Sequence, residues 1–180
     1  MDKYLEFLLQ PFQPCHWIDN LTVRLTLEQP DLLFFQVALK GDPLFLDQLP
    51  EAQPGNRAYG LWEETCFELF IGVDNCPGYI EWNLAATGDW NCFSFHSERT
   101  GMLTSDLLKL HSASSSSTPR SYLMNCRIQL PDSLQAIIRQ CCLGVAAVLK
   151  SSDSTAYFAL AHGLQADFHD RRYHQQVCLS

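Results

Sequence analysis

An unbroken alternation of apolar and polar residues runs from Leu21 to Glu28. Apolar residues occupy every odd position and Thr, Arg or Glu every even position, which is the period of a β-strand with one face in the core and one face in solvent. A turn segment at residues 29–31 follows, and the apolar segment Leu32 to Lys40 comes directly after it. We therefore predict a β-hairpin in which the two segments pair.

Similar strand signals recur along most of the chain. The segments Thr65–Val73, Tyr79–Ala86 and Trp90–His96 are separated only by turn residues, which predicts a three-stranded meander. Short strands without intervening helices are typical of an antiparallel two-sheet β-sandwich, jelly-roll or immunoglobulin-like, so we predict an all-β fold of this class. Four further strands are expected at Ser121–Leu130, Cys142–Lys150, Ala156–Ala161 and Gln175–Leu179.

The length of the chain favours a single domain. Its 180 residues, 47% of them apolar, suffice for one packed core and are too few for two ordinary domains. We predict one domain over residues 1–180, with one short helix after Pro131, where Leu134, Ile137 and Ile138 have helical spacing. The low-complexity segment HSASSSSTPR at residues 111–120 predicts a flexible Ser-rich loop inside this domain.

The eight cysteines could form the disulfide framework of a secreted protein. We predict reduced thiols instead, because no CxxC spacing occurs and Cys66, Cys92, Cys126 and Cys178 lie in apolar strand-like segments, where a thiol packs as a small apolar group. The segment Met1–Gln10 has no small-residue cleavage site, which predicts no signal peptide. No window approaches the roughly 20 apolar residues of a membrane span. These features predict a cytoplasmic protein.

The charge of the chain argues against polyanionic partners. Twelve Lys and Arg residues against twenty Asp and Glu residues give a formal net charge of −8. A field of this sign repels phosphate backbones and anionic lipid. We therefore expect no nucleic-acid partner.

Polar side chains share one face of two neighbouring strands in the predicted meander. The alternation places Glu68 on one face of the first strand, and Glu81 and Asn83 on one face of the second, with Trp62 and Trp90 at strand ends nearby. Aromatic rings stack on the C–H face of a sugar, while carboxylates and amides bind its hydroxyls. The pattern predicts a saccharide site in which Trp62 or Trp90 stacks on the ligand. It also allows the interpretation that the tryptophans belong to the core or its rim and the glutamates to a solvated face.

A second polar cluster occupies residues 161–172, with the sequence AHGLQADFHDRR. Histidine with aspartate binds metals or moves protons in many sites, but the seven-residue spacing of His162 and His169 matches no compact zinc pattern. We predict no metal site. We include His162, Asp167 and His169 among the candidate ligand-binding residues.

The sequence offers little for catalysis. It contains no GxSxG, no HExxH and no Gly-rich phosphate loop. The best enzyme hypothesis is a pair of carboxylates for glycoside cleavage, drawn from Glu63, Glu64, Glu68 and Glu81. We predict a protein without catalytic residues.

Several motifs have a family resemblance. The segments LWEETCFELF (61–70), EWNLAATGDWN (81–91), RTGM (99–102), YFALAH (157–162) and DFH (167–169) resemble the bacterial DOMON-like domain family, which is similar to family-9 carbohydrate-binding modules. The resemblance extends over nearly the whole chain and implies a β-sandwich. The positions of Glu68, Asn83, Trp90 and Arg99 match the family pattern, which adds Arg99 to the candidate site.

Three functions remain open at this stage. The leading hypothesis is a non-catalytic domain that binds a small polar ligand, preferably a carbohydrate, without a cofactor. The first alternative is a subunit of a larger cytosolic assembly, which docks through a sheet edge or the Pro-rich loop predicted at Leu44–Tyr59. The second follows from the wider superfamily, which includes haem-binding cytochrome domains, and would make Met102 and His162 the axial ligands.

Overall fold

Thirteen strands form two antiparallel β-sheets in the computed structural model, which describes residues 4–179. The strands are, in chain order, β1 (Leu5–Leu8), β2 (Gln10–Pro11), β3 (Ile18–Gln29), β4 (Leu32–Gly41), β5 (Cys66–Gly72), β6 (Tyr79–Ala85), β7 (Trp90–Phe95), β8 (Leu103–Thr104), β9 (Lys109–Thr118), β10 (Ser121–Gln129), β11 (Gln140–Lys150), β12 (Thr155–Ala159) and β13 (Gln175–Cys178). The predicted all-β sandwich is confirmed. Residues 1–3 and 180 lie outside the described residues. All four belong to the predicted domain, and residues 1–3 also belong to the segment in which no signal peptide is predicted.

The first sheet has the order β1-β3-β4-β10-β9 and the second the order β2-β12-β11-β5-β6-β7-β8. Strand β13 extends the second sheet by pairing with the first half of β11. The predicted hairpin is β3 and β4, in register with Val23 opposite Val37, and the predicted meander is β5, β6 and β7. Both predictions are confirmed.

The core lies between the two sheets. Leu21 and Phe35 from the first sheet and Phe67 and Trp82 from the second are fully buried there. Phe67, Leu69 and Ile71 of β5 face this core. Because side chains alternate along a strand, Glu68 and Phe70 between them face outward from the sandwich. This leaves an outer face on the second sheet that carries the polar residues of the meander.

The Ser-rich segment is a strand rather than the loop predicted for residues 111–120. Strand β9 pairs with β10 from Lys109 to Thr118, with one bulge. It is the edge strand of the first sheet, and most of its side chains are exposed. Serine therefore destabilises the strand little, and the strand shows no apolar alternation. Ala113 is the one buried residue of the strand, and the hydroxyl of Ser115 accepts a 2.7 Å hydrogen bond from the Ala52 amide.

The chain has two single-turn α-helices in its described part, α1 (Pro43–Leu46) and α2 (Asp132–Gln135). Helix α2 lies where the sequence predicts a helix, but it ends at Gln135, so Ile137 and Ile138 lie in the turn that follows it. Helix α1 lies where the long loop of residues 44–59 was predicted to begin, and Asp42 caps it by accepting a hydrogen bond from the Leu44 amide. Neither they nor any other helical segment within residues 4–179 has the length and apolar character needed to cross a membrane.

All eight cysteines lie in the described part of the chain and are free thiols. Cys66, Cys92 and Cys126 are buried in the strands where the sequence placed them, whereas Cys178 is exposed. Burial raises the pKa of Cys66, Cys92 and Cys126, so these three thiols behave as small apolar groups.

Candidate ligand-binding site

Two acidic side chains lie next to each other on the outer face of the second sheet. In the register of β5 and β6, Glu68 is opposite Asn83 and Phe70 is opposite Glu81, so the two glutamates are diagonal neighbours. Only 4% of Glu68 and 5% of Glu81 is exposed. Such burial of two carboxyl groups on an outer sheet face requires a cover.

The segment after β12 provides that cover. The ring of His169 packs against Phe70 and Phe95 with centroid distances of 5.3 and 5.2 Å. Its Nδ1 lies 2.6 Å from the phenolic oxygen of Tyr79, and its Nε2 lies 3.7 Å from Oε2 of Glu81. His169 therefore forms one side of a partly enclosed space above Glu81.

An ion pair fixes the covering segment to the sheet. Arg99 follows β7 in the left-handed region of the backbone, with φ 53°, and its Nε and Nη2 donate hydrogen bonds of 3.2 and 2.7 Å to Oδ1 of Asp167. The same oxygen accepts a 3.0 Å hydrogen bond from the amide of His169. Asp167 thus orients both Arg99 and His169.

A cavity of about 470 Å³ lies between the sheet and these segments. Its volume is within the range of small-molecule sites. The two glutamates form part of its floor, and aromatic rings and one cation form much of its wall. It is lined by Trp62, Glu68, Glu81, Phe95, Arg99, Met102, Val148, Tyr157, Ala166, Phe168 and His169.

Trp62 is held at the wall by other aromatic rings. It lies in the 3₁₀ turn Leu61–Glu63, which follows Gly60 in the left-handed conformation. Tyr59 and Phe93 contact it edge to face, with centroid distances of 5.1 and 5.8 Å. The indole is half-buried, so part of its surface remains accessible to a ligand.

Burial controls the protonation of the site. Desolvation raises the pKa of Glu81 to about 7, against the opposing effects of the Asn83 hydrogen bond and the Arg99 charge. Desolvation, and then the neighbouring Glu81, raises the pKa of Glu68 well above its ordinary value. Burial and the Arg99 charge lower the pKa of His169 to about 4, so its ring is neutral at pH 7.

Two buried oxygen atoms in this region have no hydrogen-bond partner among the described residues, Oε2 of Glu81 and Oδ1 of Asn83. Asn83 donates through Nδ2 to Oε1 of Glu81 at 2.8 Å, which leaves the other oxygen of each group free. An unsatisfied buried acceptor costs about 1–3 kcal/mol. Because Glu81 lines the cavity, a bound ligand can supply the missing donor.

The raised pKa of Glu81 makes a prediction about stability. A carboxyl with a folded-state pKa of about 7 and an ordinary value of 4.5 binds more protons in the folded than in the unfolded protein between these values, so its contribution to stability falls as the pH rises through this window. We expect the unfolding free energy of Glu81→Gln, relative to that of the parent protein, to increase by about 2–3 kcal/mol from pH 5 to pH 8. Urea denaturation at both pH values measures this gain.

The control for this prediction is Glu51→Gln, which removes an exposed carboxylate in a loop. We expect its unfolding free energy to follow that of the parent protein at both pH values. A gain of the same size in both variants would show that the pH dependence does not come from the burial of Glu81.

The structure brings five of the nine candidate residues to the cavity wall, Trp62, Glu68, Glu81, Arg99 and His169. Two more support it from behind, since Asn83 bonds Glu81 and Asp167 bonds Arg99. The remaining two lie elsewhere. Trp90 stacks on Trp82 at 4.9 Å with Arg57 over its ring, and Nε2 of His162 lies 2.8 Å from the carbonyl oxygen of Gln10.

Three aromatic rings in the wall, Phe95, Tyr157 and Phe168, were not among the candidates. Strand alternation points to the first two, because Phe95 has the outward parity of Phe93 and Tyr157 precedes the core residue Phe158. Phe168 lies in the covering segment, where no periodicity signals its position.

The residues do not fit haem ligation by Met102 and His162. Met102 lines the cavity. Among the described residues that line it, His162 is absent, and Nε2 of His162 lies within hydrogen-bond distance of the Gln10 carbonyl oxygen. Within residues 4–179, no group of three or more His, Cys, Asp or Glu side chains is arranged to hold a metal ion.

A second cavity of about 270 Å³ shares Tyr157 and Ala166 with the first. Phe12 and Trp17 contribute rings to it, and Ser154 and Thr155 contribute hydroxyls. The two cavities adjoin at Tyr157 and Ala166, which leaves room for a ligand longer than one sugar unit.

Comparison of the sequence with models of known protein families gives no match, and comparison with curated proteins gives none either. Comparison of structures does. The chain is similar to a putative carbohydrate-binding protein from Bacteroides uniformis, with a TM-score of 0.64, 12% identity, and coverage of 99% of this chain and 87% of that one. It is also similar to a family-9 carbohydrate-binding module from Caldicellulosiruptor kristjanssonii in complex with cellotriose, with a TM-score of 0.58, 10% identity, and coverage of 99% and 82%. At this identity, the similarity shows a shared fold.

Proposed function

We propose that this protein is a non-catalytic carbohydrate-binding domain and that its saccharide binds in the cavity on the outer face of the second sheet. The observation that carries this proposal is the composition of that cavity. It combines the accessible rings of Trp62 and Tyr157 with two buried carboxyl groups, one of which has an unpartnered oxygen. Stacking surface beside hydrogen-bonding groups is what a sugar requires.

The structural comparisons support the proposal. The Bacteroides uniformis protein is a putative carbohydrate-binding protein, and the Caldicellulosiruptor kristjanssonii carbohydrate-binding module was solved in complex with cellotriose. The motifs at residues 61–70 and 81–91 support the finer assignment to the DOMON-like family. The eight free thiols support a cytoplasmic location, where thiols stay reduced.

The arrangement of the carboxyl groups favours binding over cleavage. Glycosidases use two carboxyl groups that flank the scissile bond, one as an acid and one as a base or nucleophile. Glu68 and Glu81 are diagonal neighbours on one sheet face, so both approach a ligand from the same side. Burial also raises the pKa of both groups, which disfavours the ionised partner that cleavage needs.

Isothermal titration against a panel of mono- and disaccharides tests the proposal. We expect saturable heat with at least one saccharide, a change in tryptophan fluorescence on binding, and tighter binding of disaccharides because the second cavity adjoins the first. Absence of heat with every sugar would refute the proposal. If a stoichiometric protein partner were recovered by pull-down in that case, the protein-interaction alternative would replace it.

A further inference from the structure

The charge balance of the cavity defines a narrower class of saccharide, an inference that rests on the proposed function. The floor carries two carboxyl groups, Glu68 and Glu81, and the wall carries one guanidinium, Arg99. Arg99 is already paired, since its Nε and Nη2 both donate to Asp167. Among the cavity-lining residues that the structure describes, no unpaired cation is therefore left to balance the charge of Glu68 or Glu81 when either is ionised.

The other titratable neighbours of the two carboxyl groups are neutral at pH 7. Burial raises the pKa of Cys66 and Tyr79, and burial and the Arg99 charge lower the pKa of His169 to about 4. Nε2 of His169 is 3.7 Å from Oε2 of Glu81, which is too far for a hydrogen bond. The only polar hydrogen bond to the Glu81 side chain within the described chain comes from Asn83.

When Glu81 is ionised, its Oε2 is an acceptor that the surrounding protein does not satisfy, and Oδ1 of Asn83 is a second one nearby. A sugar hydroxyl brings one O–H donor, whereas an ammonium group brings three N–H donors and a positive charge. An ammonium group that reaches the floor can bond the free oxygen of Glu81 and offset the charge of either glutamate. The partly exposed rings of Trp62 and Phe168 in the cavity wall can add cation–π contacts.

We propose that the preferred ligand of this cavity is an amino sugar, bound with its ammonium group on the floor beside Glu68 and Glu81. The formal net charge of −8 attracts such a cation from solution. Ionisation of a glutamate on binding releases its proton to the solvent.

Titration calorimetry with glucosamine, glucose and N-acetylglucosamine tests this at pH 6.5. The three sugars share a ring, but only the first carries a positive charge. We expect glucosamine to bind about tenfold more tightly than either neutral sugar, as for a partly desolvated charge pair. Heats measured in two buffers of different ionisation enthalpy should show net proton release for glucosamine alone. The preference should shrink at pH 5, where both glutamates stay protonated.

Variants locate the ammonium group. Glu81→Gln and Glu68→Gln should each lower the ratio of glucosamine to glucose affinity several-fold, whereas the exposed-site control Glu51→Gln should leave this ratio as in the parent protein. Thermal denaturation verifies that each variant is folded. The comparison of sugars and buffers is made with the parent protein and does not depend on any variant.

The outcomes separate the two proposals. Equal affinities for the three sugars, or a preference without proton release that persists in both glutamate variants, would overturn the amino-sugar inference and leave carbohydrate binding intact. Absence of binding by these three sugars and by every sugar of the mono- and disaccharide panel would overturn both.

Discussion

Replacing Trp82 with alanine is expected to lower the free energy of unfolding by about 3–5 kcal/mol. The indole is fully buried on the inner face of β6, and its ring stacks on Trp90 at 4.9 Å with an interplanar angle of 22°. Its removal leaves a cavity between the sheets that neighbouring strands cannot close. Small domains have a total stability of about 5–15 kcal/mol, so the loss is large. Urea denaturation followed by circular dichroism measures it.

Two controls assign this loss to packing. The indole Nε1 of Trp82 has no hydrogen-bond partner among the described residues, so Trp82→Phe keeps a ring and removes an unsatisfied donor. We expect that variant to lose less than about 1.5 kcal/mol. Leu164→Ala changes a fully exposed side chain and should stay within about 0.5 kcal/mol of the parent protein. If Trp82→Ala cost no more than Leu164→Ala, the inner face of β6 would not be the core.

Much of the sandwich could be predicted because burial imposes a two-residue period on its central strands. This period predicted β3 and β4 as a hairpin, and it placed Glu68 and Glu81 on the face opposite Phe67 and Trp82. The period vanishes where both faces meet solvent. Strand β9 therefore looked like a Ser-rich loop, although its hydrogen bonds to β10 define it as the edge of a sheet.

The position of Trp90 was open to the same reasoning. Trp90 lies two residues before Cys92, a core residue of the same strand, and it is opposite Leu84 of the neighbouring strand β6. Alternation therefore places its ring on the inner side with Trp82, away from the glutamates. A tryptophan at a strand end suggests a sugar site, but its position in the alternation of the strand decides which face of the sheet its ring lies on.

The cover of the site could not be predicted in this way. The segment that carries His169 has no periodic pattern, and its place above Glu81 depends on contacts between residues far apart in sequence. The ion pair of Arg99 with Asp167 and the contact of Tyr79 with His169 are of this kind. Such contacts depend on the folded sheet, so the sequence predicted the acidic floor without the enclosure that makes it a cavity.

Replacing Trp62 with alanine is expected to weaken saccharide binding about 30-fold, equivalent to about 2 kcal/mol. The indole is the large, half-buried ring at the cavity wall, and Tyr59 and Phe93 fix its orientation before a ligand arrives. A preorganised aromatic surface binds a sugar face with little loss of side-chain entropy. Titration calorimetry with the best saccharide of the panel measures the change.

The control for Trp62→Ala is Tyr4→Ala, which removes an exposed ring that packs on Arg24 of the other sheet. Both variants lose an accessible aromatic surface of the fold, but only Trp62 lines the cavity. The affinity of Tyr4→Ala should therefore equal that of the parent protein. Equal affinity in Trp62→Ala would mean that the sugar does not stack at this wall. Tyr157, an exposed ring that lines both cavities, would then provide the stacking surface, and the ligand would bind nearer to the second cavity.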